Sequence, residues 1–199
     1  MKRLLIYAVS GLVGLGAGLY SALAMSGLLP GDQRAAVGIE IDGWAGDLTT
    51  GSADASPYLR ARIARHALLA MAKSEAIYFI RDKDSEGQPL REQCTYRVSG
   101  GPLPAQWWSI TLYNAANFLP DNNDEALSFA ANRAGDGEWS AIIAPTAPAE
   151  SDNWISSRNA GEFDLTLRLY VPEDDALARP AEAIAAPTVE RLECAGNPA

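Results

Sequence analysis

The sequence is short of the residues that carry most protein chemistry. Its 199 residues include one histidine, His66, and two cysteines, Cys94 and Cys194. That excludes a Cys/His site of the zinc-finger kind, and a lone histidine cannot assemble a histidine metal cluster. There is no G-x-S-x-G elbow, H-E-x-x-H, P-loop, C-x-x-C or dinucleotide glycine fingerprint, so no nucleophile elbow, zincin site or phosphate cradle is signalled. No cofactor and no metal is implied, and an enzyme is the less favoured class. Positive charge is scarce as well: 16 Lys and Arg stand against 25 Asp and Glu, a net of −9. An acidic surface repels a phosphate backbone, which argues against nucleic acid as a partner.

What the chain does have is one long apolar run. Residues 4–29 are 26 consecutive uncharged residues, 18 of them hydrophobic. As a helix this run is about 39 Å long, against a bilayer hydrocarbon core of about 30 Å. Lys2 and Arg3 precede it and Asp32 is the first charge after it. The positive-inside rule then keeps the amino terminus cytoplasmic and exports everything after Leu29. Beyond residue 29 there are 14 Lys and Arg against all 25 acids, a net of −11. Ala22-Leu23-Ala24 also offers an A-x-A-like cleavage site, but the apolar run continues past it to Leu29. The segment therefore reads first as an uncleaved anchor and second as a signal peptide. Gly14, Gly18, Ala22 and Ser26 recur every four residues, a spacing that lets another membrane-protein subunit's helix approach closely. Glycine is also simply common in membrane helices, so both explanations of the series stand.

Residues 30–55 are rich in Gly, Ala and Asp and read as a linker, with one short apolar cluster at Ile39, Ile41 and Trp44. Ser56-Pro57 is an N-cap followed by Pro at the first helical position. Behind it Leu59, Ile63, Ala67, Leu68 and Met71 recur at three and four residues, which predicts an amphipathic helix over 57–73. The period then changes to two. Residues 76–81 and 90–99, either side of Asp84-Ser85-Glu86-Gly87, read as a hairpin. Further strands are predicted over 106–114, 126–132, 138–144 and 162–171. In the first of these, Trp108, Ile110 and Leu112 face one way and Trp107, Ser109, Thr111 and Tyr113 the other. In the last, Phe163, Leu165, Leu167 and Leu169 oppose Asp164, Thr166, Arg168 and Tyr170. About six antiparallel strands behind one helix predict a mainly β protein, an antiparallel, jelly-roll-like β-sandwich over 56–199. Its proline-bearing tail, 172–199, is expected to wrap the sandwich.

A single cysteine pair in an exported domain predicts a Cys94–Cys194 disulfide, with two unrelated thiols as the alternative. It closes a loop of about 100 residues, worth up to about 4.7 kcal/mol on chain-entropy grounds. His66 reads as a packing residue at a helix boundary. Asp121 with Asp124, and Asp174 with Asp175, are pairs that in principle suit acid–base or calcium work, and read more simply as solvated loop charges. The more specific set is aromatic and polar. Should the 106–114 and 162–171 strands be neighbours, Trp107, Tyr113, Arg168 and Tyr170 share one face, a seat for a sugar, a carboxylate or a partner chain. Trp154 is a further candidate, as a ligand shelf or a loop cap. The plainer account is a half-exposed sheet whose Arg168 pairs with a local acid such as Asp164 or Glu75.

Five segments carry a family resemblance: Pro57-Tyr58-Leu59-Arg60-Ala61, Ser74-Glu75-Ala76, Trp107-Trp108-Ser109-Ile110-Thr111-Leu112-Tyr113, Asn153-Trp154-Ile155 and Leu167-Arg168-Leu169-Tyr170-Val171-Pro172. Through them the chain resembles the bacterial domain of unknown function 1214, in a membrane-anchored, single-domain form. The resemblance covers most of residues 55–194 and implies a jelly-roll-like sandwich. It brings no catalytic residues. Two functional classes follow: a non-enzymatic accessory subunit of an envelope assembly, docking through its helix and its sheet face, or a periplasmic carbohydrate- or small-acid-binding module or hydrolase-like enzyme built on the Trp107, Tyr113, Arg168 and Trp154 region.

Overall fold

The structure is a computed structural model, and it describes residues 2–26, 38–65, 71–149 and 153–195. Lys2–Met25 forms one 24-residue helix (α1). It is long and apolar enough to cross a membrane, and none of its residues is buried among the described residues; a membrane anchor and a signal sequence both have this character.

The remainder is a mainly β, two-sheet sandwich. The larger sheet has strand order β1-β2-β3-β9-β5-β6, built from Ile39–Ile41 (β1), Trp44–Gly46 (β2), Ala76–Arg81 (β3), Ala105–Asn114 (β5), Ser128–Ala130 (β6) and Phe163–Pro172 (β9). The smaller has order β10-β4-β7-β8, from Cys94–Gly100 (β4), Trp139–Ala144 (β7), Trp154–Ser156 (β8) and Thr188–Cys194 (β10). All pairings are antiparallel except β7 with β8, which is parallel. The two ten-residue strands, β5 and β9, form the centre.

The period-two pattern decides what faces inward. Ile77, Leu169 and Trp108 form one cross-strand row, Phe79, Leu167, Ile110 and Phe129 the next, and all are buried. Opposite them Tyr96, Val98, Ala141, Ile143, Ile155 and Val189 close the core from the smaller sheet. Aromatic rings stitch the layers together: Trp108 lies 4.6 Å from Trp139 and 5.8 Å from Phe129 between ring centres. Burying each such side chain stabilises by about 1.5–3 kcal/mol.

Four expectations change. First, the 30–55 linker contributes β1 and β2, joined by Asp42 and Gly43, both at positive φ (48° and 82°). That is the conformation of a type I′ hairpin turn, for which Asp-Gly is the favoured pair. Buried Arg81 holds the turn, donating from Nη1 to the Asp42 carbonyl (2.6 Å) and from Nε to that of Lys83 (2.7 Å). Desolvation lowers the Arg81 pKa, and the nearby Asp84, Asp42 and Asp82 oppose that shift. Second, 76–81 and 90–99 are not a hairpin. β3 pairs with β2 and β9, while β4 belongs to the other sheet; between them only Lys83 and Pro89 form a bridge.

Third, the 57–73 helix is present over Pro57–Arg65 (α2). Ser56 caps it as predicted, its Oγ accepting from the Leu59 N–H at 3.1 Å. His66, Ala67 and Leu68 lie outside the described residues, and residues 71–73 are not helical. Fourth, the predicted 126–132 strand is shorter, since β6 gives way to a single turn, Ala131–Ala134 (α3).

The tail runs through two short helices, Asp174–Ala178 (α4) and Pro180–Ala183 (α5), into β10. Cys194 stands directly opposite Cys94 and is disulfide-bonded to it, which is the predicted pinning of the tail. The Trp44 indole N–H donates to the Pro187 carbonyl at 2.7 Å, so the first hairpin and the tail lock each other in place.

Candidate functional site

Strands β5 and β9 are neighbours, and their register sets Trp107 opposite Tyr170, Ser109 opposite Arg168, Thr111 opposite Thr166 and Tyr113 opposite Asp164. β3 extends the same outward face, with Tyr78 beside Arg168. Four of the predicted ligand residues, Trp107, Tyr113, Arg168 and Tyr170, therefore share one surface. Trp154 does not join them. It opens β8 at the edge of the other sheet, in register with Ile142, and its indole N–H is spent on the Ala144 carbonyl at 2.9 Å. It is neither a loop cap nor part of this face.

Arg168 is half-buried at the centre. Its Nη2 donates to the Tyr113 hydroxyl at 2.7 Å, and its guanidinium lies 5.3 Å from the centre of the Tyr113 ring. Among the described residues it makes no salt bridge, with Asp164 or Glu75 or any other acid. The contact runs diagonally from one strand to the other, across the level of Thr111 and Thr166, and Ser109, Asp164 and Thr166 on this face are buried. Next along the strands, Trp107 is 41% exposed and packs on Tyr170, ring centres 5.2 Å apart. Tyr78 completes the set. Burial pushes its phenol pKa up, opposed by a hydrogen bond from the Met71 backbone and by the Arg168 charge.

Sequence reasoning missed Tyr78, because assigning 76–81 to a hairpin with 90–99 sent it away from this face. Its outward position in the Ala-Ile-Tyr-Phe-Ile-Arg alternation was the available signal.

The other candidates resolve differently. The Asp124 carboxylate accepts from the Ser156 hydroxyl (2.6 Å) and from Nε of Arg158 (3.0 Å), with a second bond from Nη2. The Asp121 carbonyl accepts from Asn159, and Asp175 pairs with Arg179 at 3.2 Å. These loop acids fasten loops and a helix turn. Among the described residues no group of three His, Cys, Asp or Glu side chains is arranged to hold a metal ion. On α1, a Cβ added at Gly14 or Gly18 meets nothing within 4 Å, and Ser26, just past the helix end, donates its backbone N–H to Ala22 at 3.0 Å. The small-residue face is therefore open at Gly14 and Gly18, while Ser26 at its far end is buried.

What the sheet face offers is recognition by side chains alone: one guanidinium with donors to spare, three phenols, one indole and a floor of hydroxyls.

Among solved structures, the fold is similar to that of the VPA0106 protein from Vibrio parahaemolyticus, at a TM-score of 0.59 and 20% identity, covering 91% of this chain and 44% of that one. An uncharacterized protein from Burkholderia cenocepacia gives a TM-score of 0.39 at 19% identity, over 63% of this chain and 31% of that one, too distant to bear on the fold. The chain spans less than half the length of either. No curated protein matches it. A family match covers residues 75–174, from the turn before β3 to the start of α4, and so contains the whole Trp107, Tyr113, Arg168 and Tyr170 face. The chain belongs to the family described as "Protein of unknown function (DUF1214)".

Proposed function

We propose that this protein is a non-enzymatic binding module, tethered to the bacterial inner membrane by α1 with its sandwich in the periplasm, and that the outward face of β3, β9 and β5 is its binding surface. The observation that carries the proposal is Arg168. In an acidic chain, Arg91, Arg97, Arg158, Arg179 and Arg191 each have a carboxylate partner. Arg168 has a phenol instead and sits beside a partly exposed indole. Arg60 and Arg81 spend their donors on backbone carbonyls, whereas Arg168 is half-exposed and makes no salt bridge among the described residues; such a guanidinium is suited to an incoming anion. The exported location is supported by the basic residues ahead of α1 and by the disulfide, which persists in oxidising compartments.

Site-directed photo-crosslinking in native membranes tests this. A crosslinker at Ser128, exposed on the same face, should label a bound molecule, and one at Ser140, exposed on the opposite sheet, should not. Arg168→Gln should reduce the Ser128 signal several-fold. Equal labelling from both positions, or labelling indifferent to Arg168, overturns the proposal.

A second reading, an accessory subunit of an envelope assembly, is favoured by Gly14 and Gly18, where an added Cβ meets nothing within 4 Å. It requires that Gly14→Leu and Gly18→Leu release the protein from a larger detergent-extracted particle. A particle unchanged by both substitutions refutes it.

A further inference from the structure

We infer that the occupant of this face is an acidic carbohydrate, a glycan whose sugar ring lies on the Trp107–Tyr170 pair and whose carboxylate is held by Arg168. The inference rests on the binding-module reading and narrows it to one class of ligand.

Three observations lead there. The first is that the strand carrying Arg168 has no free edge. β9 pairs with β3 on one side and with β5 on the other, so its backbone groups are already paired. An extended peptide gains most of its affinity by adding a strand, and beside Arg168 it finds no backbone to pair with. The ligand must be read by side chains.

The second is the aromatic platform. Trp107 is held against Tyr170 and still 41% exposed. Rings of this kind give rigid, amphipathic contact area at low entropic cost, and suit a partner with one apolar face and polar edges. A pyranose has that shape, with C–H groups on its face and hydroxyls on its rim. The platform is followed along the strands by Thr111 and Tyr113, both partly exposed, hydroxyls suited to a rim of the same chemistry.

The third is charge. Arg168 is the same-face neighbour of Tyr170 on β9, about 7 Å away along the strand. One guanidinium N–H is used by Tyr113, and among the described residues the group makes no salt bridge. A ligand that brings its own carboxylate completes it, and a neutral sugar leaves it uncompensated.

Calorimetry on the full chain in detergent provides the test. The probes are a short oligogalacturonate, its methyl ester, which keeps the rings and removes the charge, and a polyglutamate peptide, which keeps the charge and removes the rings. The oligogalacturonate should bind. Esterification should weaken binding about tenfold or more, the usual scale for losing a hydrogen bond to a charged group. Arg168→Gln should cost a similar factor and abolish the difference between acid and ester; Trp107→Ala should weaken both sugars alike. Arg97→Gln, on the other sheet, should change neither. Arg168→Lys guards against misfolding of the Gln variant, because it keeps the charge and should retain part of the preference for the acid.

Ester and acid binding equally, or peptide binding as well as the glycan, overturns the inference. If no glycan binds but crosslinking from Ser128 still depends on Arg168, the glycan assignment falls and the binding surface stands. If that dependence is also absent, both fall.

Discussion

The two outward faces of the sandwich are made of similar residues and solve opposite problems. On the smaller sheet, Arg97 stands directly opposite Glu190 and Ser99 opposite Thr188. Each pair satisfies itself, at 3.5 Å for the ions and 3.0 Å for the hydroxyls, and Trp154 at the edge spends its N–H on a carbonyl. On the larger sheet, Arg168 stands opposite Ser109 and reaches diagonally to a phenol, with an indole left partly bare. Cross-strand pairs of opposite charge close a surface. On the larger sheet Arg168 makes no salt bridge among the described residues, so function is to be sought where the register leaves side-chain chemistry incomplete.

The largest expected effect breaks both faces at once. Leu167 and Phe129 belong to one inner row, and the sheet that carries Arg168 shares its core with the sheet that carries Arg97. Leu167→Ala should cost about 2–5 kcal/mol, read as a lowered midpoint in urea with probes on both sheets moving together. A variant in which only the larger sheet loosens would show that the faces do not rest on a common core.

The next effect separates them. Cys94→Ser with Cys194→Ser removes the cross-link that holds β10, and should cost about 2–4 kcal/mol in a chain with a loop of this length. Hydrogen exchange should quicken first in β10 and around Arg97, the self-paired face, and later around Arg168. Uniform acceleration across both sheets would mean that the tail supports the whole sandwich.

Much of this comparison was legible in the sequence. The alternation in 106–114 and 162–171 correctly placed Trp108, Ile110, Leu112 and the four apolar residues of the last strand in the core, whereas it did not foresee that Ser109, Asp164 and Thr166 on the other face are buried too. The disulfide followed from a count of two. What alternation cannot supply is which strands are neighbours. The hairpin from 76–81 to 90–99 was the simplest local solution, but Leu90 and Tyr96 are needed in the core and β4 pairs instead with β7 and β10. The three-residue strands β1 and β2 are too short for periodicity to register, although Asp42-Gly43 between apolar residues carried the turn signal. The role of Arg168 lay further from reach. A side chain that leans diagonally to Tyr113 rather than across to Asp164 is decided by packing, which sequence spacing does not encode.

A smaller effect concerns two tyrosines, one on each side of the comparison. Tyr96, buried behind β4, accepts from the Arg91 N–H at 2.9 Å. Burial raises its pKa above the ordinary 10.0, against that hydrogen bond, as burial raises that of Tyr78 on the binding face. In both cases the fold prefers the protonated phenol. The stabilisation is complete below pH 10 and is lost as pH rises through the folded-state values, because the unfolded chain then ionises first. Tyr96→Phe and Tyr78→Phe should each flatten the alkaline fall in stability measured by denaturant titration. An unchanged slope in both would mean that neither phenol drives it.

The smallest effect bears most directly on the difference between the faces. Arg97 and Glu190 are both largely exposed, and a double-mutant cycle on such a pair should return a coupling of about 0.2–1 kcal/mol that fades in salt. Arg168 with Tyr113 is a charge on a neutral acceptor, half-buried. Its coupling should be of similar size, about 0.5–1.5 kcal/mol, but much less sensitive to salt, since no second charge is screened. The single substitutions should diverge. Arg97→Ala strips Glu190 of its partner and should destabilise slightly. Arg168→Leu removes a partly desolvated cation that makes no salt bridge among the described residues, so it should leave the domain as stable as before or more so. Stability held or gained where recognition is lost is the signature of a residue kept for binding. If Arg168→Leu instead unfolds the domain, Arg168 belongs to the scaffold, and the two faces differ in appearance only.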